Sequence, residues 1–298
     1  MPTLKDYNNK LVSLRNTRKM TKTMQMVSAT KFQRAQAAQT RVRPYANALN
    51  SMLHRVTTAA AGEVHLPLCK VRSPAYKALI IIISSDRGLC GSFNHGLHRL
   101  VAQWIFERED RYTDIDLICC SRKAAAFFRG KQTIRQSRDG ITASPNMVTA
   151  ADLGDEAMKL FSDGSYDEVY LAYNEFINAV SRTPQIELLL PATTTDEEKT
   201  ALTPENVMQG PRPELIFEPR APELLGTLIP QSIRFRIFSA LLESAAGEHG
   251  ARMSAMDNAT KNSDRLLDTY TLLRNRVRQA GITRELAEIV TGAEALKG

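Results

Sequence analysis

The two ends of the sequence are poor in the residues that interrupt helices. No glycine precedes Gly62, no proline lies between Pro2 and Pro44, and none lies between residues 231 and 297. Because glycine and proline mark turns and helix ends, their scarcity excludes frequent turns in these two stretches. Both ends of the chain are therefore predicted to be long helices, and the first is predicted to end near Ala60.

The sequence also lacks the features of membrane-spanning, secreted and metal-binding chains. No window approaches eighteen consecutive apolar residues, and the first residues contain no apolar stretch typical of a secretory signal. The cysteines have neither the Cys-x-x-Cys nor the Cys/His spacing of a metal site. We expect reduced thiols in a cytoplasmic compartment, no membrane span and no bound metal. The four cysteines are Cys69, Cys90, Cys119 and Cys120.

Apolar or small residues recur every seven residues in both terminal stretches. A narrow seam of this kind is the pattern by which two helices pair. Helices of this length, at about 1.5 Å per residue, exceed the size of a domain and cannot bury themselves in one. We predict an antiparallel coiled coil between residues 1–60 and 221–298. The two series are Tyr7, Leu14, Thr21, Ser28, Ala35, Val42 and Leu49, and Leu242, His249, Met256, Ser263, Tyr270 and Val277.

Two further expectations attach to these helices. Five methionines, Met20, Met24, Met26, Met253 and Met256, are predicted to pack in the seam rather than to bind a cofactor. An alternative to the coiled coil is that each helix packs on a globular domain of its own. We favour the coiled coil, because neither neighbouring segment is long enough to cover such a helix.

Positive charge is concentrated at the start of the chain. Residues 1–50 carry ten basic side chains and one acidic side chain, Asp6, whereas the whole chain has a formal net charge of +7. A positive helix favours an acidic partner, which leaves nucleic acid, anionic lipid or an acidic protein surface as hypotheses, with a charged face that is only solvated as the alternative. Aromatic residues do not alternate with the basic ones for base stacking, which weakens the nucleic-acid hypothesis.

Between the two helices the pattern changes to alternating strands and helices. The first strand is a continuous aliphatic run at 78–84, typical of strands buried on both faces. This order predicts a Rossmann-like α/β domain over residues 75–210 with a largely parallel sheet, so the fold class is α+α/β. The proline-rich stretch 191–222 is predicted to be a loop or hairpin. The other predicted elements are strands at 116–120, 132–136, 168–173 and 185–190, and helices at 97–105, 123–129 and 149–161.

The loop after the first strand, SSDRGLCGSFN at residues 84–94, is a candidate site. A strand, a polar glycine-containing loop and a helix resemble a phosphate-binding turn, in which helix amides hold an anion. Gly88 and Gly91 do not have the spacing of a nucleotide-binding motif, so we favour a structural turn that needs glycine for its backbone. Asp86 and Arg87 are predicted either to pair locally or to face a partner.

Other residue types give no catalytic or metal-binding pattern. The sequence contains neither a Gly-x-Ser-x-Gly nor a His-Glu-x-x-His motif. His95 and His98 share a helix face, but no clustered cysteines or carboxylates complete a ligand set, and both are predicted to be solvated. We therefore predict no catalytic site and no bound cofactor in this chain.

Several stretches together resemble the gamma subunits of F-type ATP synthases. Their order along the chain is that of the family, and they reach from one end to the other. The loop has Ser92 where the family usually has a second glycine, and the stretch 191–222 resembles the family least. The stretches are TKTMQMVSATK at 21–31, the loop at 84–94, ALLESAA at 240–246, RMSAMDNATKN at 252–262 and ITRELAEIV at 282–290.

The resemblance implies a non-catalytic rotor shaft. In that family the terminal helices form an asymmetric coiled coil inside a hexamer of alternating alpha and beta subunits. The α/β domain lies near the epsilon subunit and the c-ring, and ion flow through the ring turns the shaft and drives the catalytic beta sites. The chain is then expected as one copy per complex, without nucleic acid, peripheral to the cytoplasmic face of the bacterial inner membrane through its partners.

The resemblance also implies which residues contact the surrounding subunits. Lys22, Arg278 and Gln279 match polar positions, and the end of the last helix offers an apolar surface suited to turning in an apolar collar. Each polar contact must break in every turn, which suits exposed ion pairs worth roughly 0–1 kcal/mol. The full set of implied contact residues is Lys22, Met24, Arg278, Gln279, Thr283, Glu285, Ile289, Val290 and Leu296.

Overall fold

The structure is a computed structural model and describes residues 3–59, 66–178, 181–192 and 218–295. Contacts divide the chain into two compact units, one formed by the two chain ends, up to Thr30 and from Arg252, and one formed by Lys31–Ala251. The described residues form α1 (Leu4–Ala59), β1 (Lys77–Ile82), α2 (Phe93–Phe106), β2 (Asp114–Cys119), α3 (Arg122–Phe128), β3 (Thr133–Ser137), α4 (Met147–Ser162), β4 (Glu168–Phe176), β5 (Arg182–Leu190) and α5 (Ala221–Ala295), with short 3₁₀ turns at Pro67–Cys69 and Ile141–Ala143.

The two long terminal helices are confirmed, and both tolerate a proline. Pro222 lies in the first turn of α5, where a missing N–H has no helical partner to lose. Pro230 lies further inside α5 and deprives the Gly226 carbonyl of its helical hydrogen bond. Pro44 lies inside α1 in the same way. Of the proline-rich stretch 191–222, residues 193–217 lie outside the described residues.

The seven-residue series are the covered sides of both helices. Every member of the two series is buried or half-buried, including Leu14 on α1 and Met256 on α5. The prediction that Met20 and Met26 pack in the seam is wrong, because their exposed fractions are 64% and 58%. Met20 precedes the seam residue Thr21 by one position, and one position turns a side chain by about 100° around the helix.

The unit formed by Lys31–Ala251 contains a five-stranded sheet in the order β3-β2-β1-β4-β5. The pairs β3–β2, β2–β1 and β1–β4 are parallel, as predicted from the alternation of strands and helices. Strands β4 and β5 are joined directly and run antiparallel, which makes the sheet mixed. The inserted α/β domain is therefore confirmed, with one antiparallel pair at its edge.

Strand β1 is the centre of this unit, and both faces of the sheet are covered. All its residues from Ala78 to Ile82 have no exposed surface. Leu79 and Ile81 face an apolar cluster with α4 and the first part of α5, whereas Ile80 and Ile82 face a second cluster with α2 and α3. This two-sided burial is the physical reason for the unbroken aliphatic run in the sequence.

Candidate functional site

The two chain ends form an antiparallel helix pair. The Thr21 and Thr260 hydroxyl oxygens lie 2.8 Å apart in the seam. Beside them the Gln25 side-chain amide donates to Asp257 Oδ1 at 2.9 Å. The partner number on α5 falls as the number on α1 rises, which is the predicted antiparallel arrangement. Further links are the Arg18–Asp264 ion pair at 2.5 Å and the Tyr7–Tyr270 ring contact, with centroids 6.2 Å apart.

Part of this seam is polar but satisfied. Each hydroxyl has one proton, so one of the two threonines donates to the other, and the second donates within its own helix. Thr21 Oγ1 lies 3.0 Å from the Arg18 carbonyl, and Thr260 Oγ1 lies 2.8 Å from the Met256 carbonyl. Ser28 is also buried and bonds a carbonyl of its own helix. Small hydroxyl side chains allow the helices to approach closely, and a hydrogen-bonded polar pair in a seam fixes the register of the two helices.

The end of α5 is an exposed surface. From Arg278 to Ala295 each side chain that the structure describes is exposed. Ile289 and Val290 are 67% and 57% exposed, and large exposed apolar side chains grouped in this way mark contact surfaces. The sequence-predicted contact residues Arg278, Gln279, Thr283, Glu285, Ile289 and Val290 all lie on this end, and Leu296 lies outside the described residues.

The other two predicted contact residues lie elsewhere in this unit. Lys22 is exposed, donates to Gln25 Oε1 at 3.1 Å and helps Lys261 to lower the pKa of Asp257. Met24 is half-buried. Arg278 lies about 30 Å further along α5 than Asp257, at 1.5 Å per residue. Lys22 and Arg278 therefore belong to two separate surfaces.

Asp86 in the loop after β1 links three segments of the α/β unit. Its Oδ1 accepts the Arg122 backbone N–H at 2.9 Å, where α3 begins, and its Oδ2 accepts the Gly140 N–H at 2.8 Å. The Arg122 guanidinium is 3.9 Å from the same carboxylate, whose side chain is 11% exposed. The protein's own carboxylate therefore lies at the start of α3, and not at the start of α2, where the phosphate-binding turn considered above would hold an anion.

The backbone of this loop needs glycine at one of the two predicted positions. Gly91 has a φ of +59°, in the left-handed region that favours glycine. Leu89, rather than Gly88, is the other loop residue in that region, with a φ of 62°. The Arg87 carbonyl accepts hydrogen bonds from Ser85 Oγ at 2.7 Å and from the Asn94 amide at 3.3 Å, which close the turn.

A buried polar group beside this loop was not predicted. Ser84 Oγ is 3.0 Å from His98 Nε2 and 2.6 Å from Ser121 Oγ, and all three residues are buried. The prediction that both histidines are solvated is wrong for His98, which is 3% exposed; His95 is exposed. Burial, with a smaller contribution from His95, lowers the pKa of His98 to about 4. The spacing of His98 to Val101 and Ile105 on the buried face of α2 was the available signal.

The cysteines and acidic residues give no reactive or metal-binding group in the described part of the chain. The four cysteines form no disulfide, and burial raises the pKa of Cys119 and Cys120 to about 12, so both remain protonated. Over the described ranges, no three His, Cys, Asp or Glu side chains are placed to hold a metal ion. Nor does any helix in those ranges have the length and apolar character needed to cross a membrane.

The terminal helices form a pair with an exposed end, and an α/β domain lies between them in sequence. These features define the class of coiled-coil proteins with an inserted domain. The family model described as ATP synthase matches residues 3–296. The chain is 41% identical to the ATP synthase gamma chain of Geotalea daltonii and 42% identical to that of Pelotomaculum thermopropionicum, with full coverage of both chains. The chain therefore belongs to the ATP synthase gamma-chain family.

Solved structures share this fold. A chain of the mitochondrial ATP synthase of Euglena gracilis, in a structure of OSCP, F1 and the c-ring, matches with a TM-score of 0.66 at 21% identity. The match covers 98% of this chain and 94% of that one. A chain from the central stalk and c-ring of the Tetrahymena thermophila mitochondrial enzyme matches with a TM-score of 0.59 at 24% identity, over 80% of this chain and 99% of that one.

Proposed function

We propose that this chain is the rotating central shaft of a bacterial F-type ATP synthase. It couples ion flow through a c-ring to ATP synthesis or hydrolysis at sites on the beta subunits. The observation that carries the proposal is the full-length identity of 41–42% to curated ATP synthase gamma chains. The names of the structural matches, which include central stalk, rotor and c-ring, support the same role.

The geometry of the helix pair suits a shaft. Two helices joined by side-chain contacts and by the buried Thr21–Thr260 pair resist twisting better than a single chain segment, because their register is fixed. The exposed end of α5 combines apolar side chains with the polar Arg278 and Glu285. Apolar side chains allow sliding, and exposed polar contacts of roughly 0–1 kcal/mol hold a position without locking it.

The proposed partners follow from the same role. Alpha and beta subunits enclose the helix pair, an epsilon subunit and the c-ring lie against the α/β domain, and one copy of the chain is present per complex. The chain binds no nucleotide cofactor and catalyses no reaction itself. It is held peripherally at the cytoplasmic face of the inner membrane through these partners. The nucleic-acid alternative gains no support from the similar proteins, which are named as ATP synthase gamma chains.

The proposal is tested by co-purification and by ATPase assays. The tagged chain, purified from its own cells, is expected to bring the alpha and beta subunits with it, and the isolated chain is expected to hydrolyse no ATP. Arg278→Ala or Lys22→Ala is expected to change the ATPase rate of the assembled complex by up to about fivefold, because each removes a contact worth about 1 kcal/mol or less.

Lys123→Ala provides the matched control for these two variants. Lys123 is an exposed basic residue on α3 and is not among the residues proposed to contact the alpha and beta subunits, so its loss is expected to leave the rate unchanged. ATP hydrolysis by the isolated chain, or a chain that is recovered without alpha and beta subunits, would contradict the proposal.

A further inference from the structure

Strands β4 and β5 extend beyond the end of the neighbouring strand. Pairing between β1 and β4 ends at Ile82 and Ala172, whereas the β4–β5 ladder continues to Phe176 and Arg182. We call this two-stranded extension, residues 173–178 and 181–185, the arm. Because it has only one ladder of backbone hydrogen bonds, the arm depends on helices for its position.

The arm is joined to α2 by Asn174, whose side-chain amide donates to the Phe93 carbonyl at 3.3 Å, and to α5 by Glu243. Its Oε2 accepts the backbone N–H of Phe176 at 3.2 Å, and its Oε1 accepts Ser239 Oγ at 3.3 Å. The Phe176 ring also packs against the ring of Phe32 on α1, with centroids 5.9 Å apart. A single carboxyl group therefore joins the last residue of β4 to α5 at the point where α1 meets the arm.

The surroundings of Glu243 disfavour its negative charge. The pKa of Glu243 is raised to about 7, mainly by burial. Repulsion by Glu175 on β4 and Glu187 on β5 also raises this pKa, whereas the hydrogen bonds from Phe176 and Ser239 lower it. Tyr173, which is buried near the same carboxylates, stays neutral because its pKa is raised as well.

The basic groups near the arm are committed to other partners or lie at the surface. On α5, Arg236 donates to the Leu188 carbonyl at 3.0 Å and lies 3.4 Å from Glu187. On the arm, Arg182 approaches the loop at Gly91. On α1, Lys31 and Arg34 flank Phe32 in sequence and are exposed.

We propose that Glu243 is a proton-operated latch that fastens the arm to α1 and α5. With a proton bound, the carboxyl still accepts the Phe176 N–H, and its repulsion by Glu175 and Glu187 disappears. Without the proton, a half-buried negative charge faces two like charges, so the arm opens into water more readily. The arm is therefore held more tightly below neutral pH than above it.

The direction follows from proton linkage. With the arm attached, Glu243 has a pKa of about 7. A detached arm exposes the group to water and returns its pKa towards the ordinary value of 4.5. Between these values the attached state binds more protons, so attachment weakens as pH rises through 7. Between pH 6 and pH 8 the equilibrium constant for opening the arm is expected to rise about tenfold.

Hydrogen exchange of the full chain tests the latch. The readout is the protection factor of the Phe176 amide and of peptides covering 173–178, measured at pH 6 and pH 8 and corrected for intrinsic exchange. The wild type is expected to lose protection about tenfold at pH 8. Glu243→Gln, which keeps the shape and carries no charge, is expected to keep the pH 6 protection at both pH values.

Two further variants make the test specific. Glu223→Gln removes an exposed carboxylate from the first turn of the same helix and is expected to behave as the wild type. Glu175→Gln removes one repelling charge and is expected to move the midpoint of the pH response downwards. A wild type without pH dependence, or a Glu243→Gln variant that keeps the full dependence, would overturn the latch. Near-ultraviolet circular dichroism of each variant verifies that the fold is intact.

Discussion

Asp86→Ala is expected to lower the free energy of unfolding of the α/β unit by about 3 kcal/mol. The substitution removes two hydrogen bonds to a charged group, each worth roughly 1.5–3 kcal/mol, and water replaces a part of them. The Asp86 carboxylate accepts the N–H groups of Arg122 and Gly140 at 2.9 and 2.8 Å. Without it, the start of α3 and the segment after β3 lose their common anchor to the loop that follows β1.

Urea unfolding, followed by circular dichroism at pH 7.5, measures this loss. Asp139→Ala is the matched control, because Asp139 is exposed and its carboxylate accepts a long hydrogen bond of 3.4 Å from Ser137 Oγ. The control is expected to change the free energy of unfolding by less than about 0.5 kcal/mol, as surface substitutions generally do. Equal effects of the two substitutions would show that Asp86 is not the anchor.

His98 is expected to make the fold lose stability as the pH falls. Its ordinary pKa of 6.5 applies to the unfolded chain, whereas burial lowers its pKa to about 4 in the folded chain. Between these values the unfolded chain binds a proton that the folded chain excludes. The contribution of His98 is therefore fully present above pH 6.5 and decreases by about 3 kcal/mol as the pH falls to 4, at 1.36 kcal/mol for each pKa unit.

Glu243 opposes this effect, so the measurement requires variants. Its raised pKa gives a contribution that is present below pH 4.5 and lost as the pH rises through 7. The comparison is therefore made between Glu243→Gln and the double variant Glu243→Gln/His98→Gln, by urea unfolding from pH 4 to pH 7.5. The difference between their unfolding free energies is expected to grow by about 3 kcal/mol towards high pH. His95→Gln, which replaces an exposed histidine, is the control and is expected to keep most of the pH dependence of the unfolding free energy. If the unfolding free energies of Glu243→Gln and of the double variant differed by the same amount at every pH, the effect could not be assigned to His98.

The sequence predicts the elements of this fold well because each rests on a local pattern. Thr21 belongs to the first seven-residue series, and in the seam of the helix pair it meets Thr260, which lies between Met256 and Ser263 of the second series. The aliphatic run at Ala78–Ile82 is the fully buried central strand. Both patterns reflect burial of one helix face or of two strand faces, which local spacing alone can reveal.

The missed features depend on contacts between residues far apart in sequence. His98 was assigned to solvent because no ligand set accompanied it, yet its partners Ser84 and Ser121 come from two different strand ends. Glu243 meets the N–H of Phe176, which lies 67 residues away. The partner contacts assigned to Arg278 and Glu285 remain predictions, since their exposure is the expected state of contact residues before assembly.

The central claim is that this chain turns inside a ring of nucleotide-binding subunits, and a reversible cross-link in the assembled complex tests it. In one complex, a thiol-cleavable photo-cross-linker is attached to the cysteine of Glu285→Cys at the exposed end of α5. In a second complex, the cysteines of Thr21→Cys and Thr260→Cys form a disulfide that joins the two helices of the pair to each other. Cross-linking α5 to a surrounding subunit is expected to lower the rate of ATP hydrolysis more than about tenfold, and reduction of the cross-linker is expected to restore the rate. The disulfide within the helix pair is expected to leave the rate within about twofold of the wild type. Full hydrolysis by a complex whose α5 is joined to the surrounding subunit would contradict the claim.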